Sequence, residues 1–134
     1  MNQDSSTGQR DILVVDDVAA IRSLLSEFLQ NKRYSIETAA TVSEARHLME
    51  RIRFSLIITN LQLDRTRQRS GCEIVKYAKS SSPPLPVIVI TGGAASATLS
   101  ELSDLGANVV LAKPIRLELL HCFVRELLAR RASA

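Results

Sequence analysis

Ile12-Leu13-Val14-Val15-Asp16-Asp17 decides the fold: four apolar residues in unbroken order, three of them β-branched, then two carboxylates. Side chains alternate between the faces of a strand, so an unbroken apolar run predicts a strand buried on both faces. Beyond the acids the spacing becomes helical. Ile21, Leu24, Leu25, Phe28 and Leu29 share one helix face. Asn31-Lys32-Arg33 closes that helix, and Ser35 to Ala39 forms a second, weaker strand.

The same alternation continues. Thr41 with Glu44 predicts a capping box for a helix turning Val42, Ala45, Leu48, Met49 and Ile52 inward. Phe54 to Thr59 reads as the third strand, and Gly71 to about Ser80 as a helix burying Ile74, Val75 and Ala78. Ser81-Ser82-Pro83-Pro84 breaks it before the fourth strand, Val87-Ile88-Val89-Ile90. A short helix from Ala95 to Leu105 stops at Gly106, and Asn108 to Ala112 is the fifth strand. Ile115 to Arg130 is the last helix, with Leu120, Phe123, Val124, Leu127 and Leu128 inward. Five strand-then-helix units predict an α/β fold: a doubly wound, flavodoxin-like parallel sheet of order 2-1-3-4-5 in three αβα layers.

At 134 residues, 46% hydrophobic and 23% charged, the composition suits one soluble domain. That domain is expected over 11–131, after a disordered polar lead-in from Met1 to Arg10. No apolar run approaches the ~18 residues of a membrane span. Cys72 and Cys122 lack metal-ligand spacing and read as reduced thiols of a cytoplasmic protein. Net charge is +3, yet the basic residues mostly alternate with acids, as in Glu50-Arg51. The clusters at Arg65, Arg67 and Arg69 and at Arg130-Arg131 lack interleaved aromatics, which argues against nucleic acid. A solvated surface explains them, with an acidic protein partner as the functional alternative.

In an open α/β sheet the site lies outside the carboxyl ends of the strands, so the residues directly after each apolar run carry the chemistry. These are Asp16-Asp17, Thr59-Asn60, Thr91-Gly92-Gly93 and Lys113-Pro114. Each has a plainer explanation. An Asp after a strand can cap the following helix, Thr91 can serve a turn, and Lys113 can be a surface lysine. Their joint occurrence at four strand ends of one crevice favours a site.

The segments around Asp16-Asp17, Pro86 to Gly92 and Leu111-Ala112-Lys113-Pro114 resemble response-regulator receiver domains over about residues 10 to 130. The resemblance implies that Asp16 and Asp17 hold Mg²⁺ with the backbone carbonyl of Gln62. Thr91 would follow the incoming phosphoryl group, Gly92 would keep the approach open, and Lys113, joined by a cis bond to Pro114, would bind phosphate oxygens. It also implies a signalling partner, a histidine kinase or a downstream target. A homodimer through the last helix and fifth strand is a further implication.

One position departs from that pattern. Asn60 stands where receivers carry the phosphate-accepting aspartate, and a carboxamide cannot form an acyl phosphate. The expectation is a receiver that is not an enzyme, has no catalytic residue and works independently of phosphorylation, with Asn60 at most a weak Mg²⁺ ligand. Asp64 is the nearest spare carboxylate, and Val110 replaces the aromatic that rotates in many receivers. Two alternatives stay open: a conventional phosphorelay receiver in which Asn60 is a substitution or deamidation site, and a flavodoxin-like cofactor binder. Against the last, Asp16-Asp17-Val18 offers negative charge and no glycine to a phosphate.

Overall fold

A computed structural model describes residues 8–63, 70–92 and 96–133. The chain runs β1 (Gln9–Val15), α1 (Ala19–Asn31), β2 (Ile36–Ala39), α2 (Val42–Arg51), β3 (Arg53–Asn60), α3 (Gly71–Lys79), β4 (Val87–Thr91), α4 (Ser96–Leu105), β5 (Val109–Ala112) and α5 (Leu117–Ser133). All pairings are parallel and the order is β2-β1-β3-β4-β5, as the sequence predicts.

The strand runs bury as alternation requires. Leu13, Val15, Ile57, Val87 and Val89 join α2, α3 and α4 in one core; Ile12, Val14, Leu56, Ile58, Ile88 and Ile90 join α1 and α5 in the other. No helix among the described residues is long and apolar enough to cross a membrane.

Thr41 Oγ1 accepts the Glu44 amide at 3.0 Å. The Glu44 carboxylate takes the Ala40 amide at 2.7 Å, so the capping box closes one residue ahead of the cap itself. Two expectations shift. β1 starts at Gln9, so Gln9 and Arg10 pair with Arg53 and Phe54 and leave the polar lead-in. Leu24 is 46% exposed despite its helical spacing, because the face of α1 that packs inward is narrowed to Leu25 and Leu29 with Ile21 and Phe28 at its edge. Residues 1–7, Asp64, the arginines at 65, 67 and 69, Gly93 and Ala95 lie outside the described residues.

α1 ends in a tight turn. Tyr34 N donates to Leu29 O and Arg33 N to Gln30 O, the double closure of a Schellman motif, with Arg33 at φ +77°.

Candidate functional site

The register brings four strand ends level: Val15 beside Thr59, Asn60 beside Ile90, Thr91 beside Ala112. The residues just beyond them surround a pocket of about 210 Å³ lined by Asp17, Asn60, Gln62, Thr91, Gly92 and Lys113, with Val18 completing the wall. Asn60 is the last residue of β3 and is 6% exposed; Thr91 is similarly buried.

Asp16 sits behind this wall, 2% exposed, and does not line the pocket. Its Oδ1 accepts the Val18 amide at 2.9 Å, and its carbonyl takes Arg22 Nη1 at 2.7 Å. Burial raises its pKa above the ordinary carboxylate value; the Val18 amide, Lys113 and Arg22 pull it back, while Asp17 adds to the rise. The capping explanation fails here. The N-cap of α1 is Val18, and no side chain closes it.

At Asn60 the carboxamide nitrogen donates to the Gln62 carbonyl at 2.5 Å. That carbonyl can only accept, so the group facing it must be the nitrogen. An aspartate there would oppose oxygen to oxygen. The backbone beneath is clamped by α3: Gly71 N donates to Leu61 O at 2.7 Å. A Cβ on Gly71 would lie 2.9 Å from both Leu61 Cα and Leu61 O. The role of Gly71 escaped the sequence reading. Its one signal is a glycine opening a helix, where better helix formers are available.

Gly92 is sterically open, since an added Cβ would meet only Lys113 Cδ, at 3.9 Å. Lys113 follows β5 with its amide on Thr91 O at 2.8 Å, and its bond to Pro114 is cis, as the resemblance implies. Val18, 44% exposed, is a pocket residue that sequence reasoning missed, because an apolar residue after two acids carries no motif signal.

The donor set does not fit a tightly held divalent cation. Mg²⁺ seeks several oxygen ligands, usually anionic. Here one carboxylate faces the pocket, the second is hydrogen-bonded behind it, and the Gln62 carbonyl already accepts the Asn60 amide. Among the described residues, no group of three His, Cys, Asp or Glu side chains could hold a metal. The pocket is also below the ~300 Å³ at which cofactor clefts begin, which counts against a flavodoxin-like cofactor binder.

A doubly wound sheet with acids, a hydroxyl and an ammonium at its carboxyl ends defines a class of two-component signalling modules. The chain belongs to the response regulator receiver domain family, whose sequence pattern matches residues 12–125. It is 35% identical to the response regulator protein PilR of Pseudomonas aeruginosa over 105 residues, covering 78% of this chain and 23% of that protein. It is 32% identical to the response regulator MprA of Mycobacterium leprae over 119 residues, covering 89% of this chain and 51% of that protein. The chain thus spans at most about half the length of these relatives. A CheY-like receiver domain protein from Methanospirillum hungatei has the same fold, with TM-score 0.84 and 26% identity over 93% of this chain and 98% of that one.

Proposed function

We propose that this receiver signals by binding protein partners and carries no aspartyl phosphate. The carboxamide of Asn60 at the head of β3, with its nitrogen on the Gln62 carbonyl, is the observation that supports this reading. An amide nitrogen lone pair is delocalised and the amide oxygen is neutral, so no stable acyl phosphate forms there. The hydrogen bond also satisfies the carbonyl that receivers give to the cation, so Mg²⁺ binds weakly, through Asp17 with Asp16 behind it.

Thr91, Gly92 and Lys113 keep the receiver arrangement around the pocket and make it a polar surface without a phosphoryl carrier. The partner is a signalling protein, a histidine kinase or a downstream target, engaged through the α4, β5 and α5 face; the same face would serve a homodimer. Cys72 and Cys122 form no disulfide, which agrees with a cytoplasmic setting.

Intact-mass measurement after incubation with acetyl phosphate and Mg²⁺ tests the proposal. The mass stays unchanged if the proposal holds. A gain of about 80 Da, one phosphoryl group, on the unaltered chain overturns it and restores the conventional receiver reading. An aspartate at position 60 in the peptide map would do the same through deamidation.

A further inference from the structure

The opposite end of the sheet carries a second recessed surface that the receiver chemistry does not use. There the loop after α3 and the last turn of α5 enclose a cleft of about 510 Å³, walled by Pro83, Pro84 and Leu127 and bearing Lys79 and Arg131. A neighbouring cleft of about 310 Å³ shares Pro83 and Arg131 and adds Met49, Ile52 and Arg53. Together they form one groove across the amino ends of β3 and β4.

Its charge is one-sided. Among the described residues, no Asp or Glu lines either cleft. Arg130 is offset by Glu126 at 2.7 Å. Arg53, Lys79 and Arg131 have no carboxylate partner among the described residues; their side-chain partners are neutral where they have any. Lys79 Nζ donates to Asn108 Oδ1 at 2.7 Å, and Arg131 Nη1 to Pro84 O at 3.0 Å. Asn108 Oδ1 also accepts the Val87 amide at 2.9 Å, which fixes the lysine against the rim of the sheet. Burial lowers the Lys79 pKa and Arg131 lowers it further, so an anion placed between them would relieve both.

We propose that this groove binds an acidic peptide segment of a partner protein, its carboxylates on Lys79 and Arg131 and its apolar side chains against Pro83, Pro84 and Leu127. Charge complementarity selects the occupant. The cations are recessed among apolar walls, where a flat anionic bilayer cannot reach a half-buried lysine. Among the described residues, the only aromatic in the lining is Phe54, which is buried and gives a nucleic-acid base no face to stack on.

Fluorescence anisotropy with a labelled peptide of glutamates and leucines tests the assignment on the whole chain. Saturable binding is expected, weakening with salt and falling about tenfold for each of Lys79→Gln and Arg131→Gln, as loss of one charge-assisted hydrogen bond predicts. Arg131→Lys should retain part of the binding, and a peptide with lysine in place of glutamate should not bind. Lys79→Gln also touches Asn108, so its melting midpoint is measured alongside; Arg131→Gln, on the last turn of α5, gives an independent answer. Equal binding by chain and variants, or no saturable binding, overturns the proposal. So does loss of phosphatidylserine-vesicle or oligonucleotide binding in these variants without acidic-peptide binding.

Discussion

The two ends of this sheet solve opposite electrostatic problems. At the carboxyl end, one acid, an amide and one ammonium converge on about 210 Å³ with a second acid buried behind them, and internal hydrogen bonds from Val18 and Asn60 satisfy oxygens that a cation would otherwise take. At the amino end, a cleft of about 510 Å³ bears Lys79 and Arg131, whose hydrogen-bond partners among the described residues are neutral acceptors. A parallel sheet forces this contrast into separate places, because every strand points the same way and the two ends share no residues. The carboxyl end of this chain is quenched from within; the amino end is left open to an anionic partner.

Restoring the charge at the quenched end should have the largest effect. Asn60→Asp removes the amide donor and sets a carboxylate against the Gln62 carbonyl, beside Asp17. Two unit charges about 5 Å apart at an effective dielectric near 20 repel by roughly 3 kcal/mol. The metal-free melting midpoint should therefore fall, Mg²⁺ should restore it, and acetyl phosphate should now add about 80 Da. A variant that melts higher without metal would show that the acids do not crowd one another, and the contrast between the two ends would lose its basis.

Rigidity of the same end is tested one layer deeper. Gly71→Ala places a methyl 2.9 Å from Leu61 Cα, backbone that cannot rotate away. Overpacking of this kind costs about 1–3 kcal/mol, read as a lower denaturant midpoint at constant slope. An unchanged midpoint would mean that α3 does not clamp Asn60 in place.

Much of this was legible before any coordinates. β-branched runs such as Ile12 to Val15 and Val87 to Ile90 have one solution, a strand covered on both faces, and five of them with intervening helical periods leave one common strand order. Finding most of the residues that line the carboxyl-end pocket only required reading the residues after each run. What stayed hidden depends on distance, not pattern. Asp16 and Asp17 are adjacent in sequence, yet one is buried and the other lines the pocket, because successive side chains leave a strand end in different directions. The hydrogen bond from Asn60 to the Gln62 carbonyl forms within two residues of the end of β3, where no periodicity encodes the backbone path. The basic groove draws Arg53, Lys79 and Arg131 from three separate elements, so the sequence shows only Arg130-Arg131, the pair whose first member is already neutralised.

A smaller effect is expected where α1 turns into β2, on the same side as the groove. Arg33 holds φ +77°, a region that costs a residue with a Cβ about 1 kcal/mol. Arg33→Gly should raise stability by about that amount. It should leave acidic-peptide binding unchanged, since Arg33 lines neither cleft. Weakened peptide binding would extend the basic end beyond the residues assigned to it.

The smallest effect lies between the ends, where α1 meets α5. Tyr34 Oη and His121 Nε2 are 3.2 Å apart, and Phe28 meets the imidazole edge-on. Burial lowers the His121 pKa, and Lys32 and Arg125 add to the shift while Glu118 opposes it. With the tyrosine hydroxyl donating, Nε2 must keep its lone pair, so the folded chain favours neutral imidazole. The sign follows: the unfolded chain takes up its proton first, near pH 6.5, so stability is intact above that value and declines as pH falls through the lower folded-state pKa. The ring is partly exposed, so solvent screens the effect. Melting midpoints measured from neutral to mildly acidic pH should slope less for His121→Gln than for the parent chain. Equal slopes would place the acid sensitivity elsewhere, with the carboxylates of the quenched end as the next groups to examine.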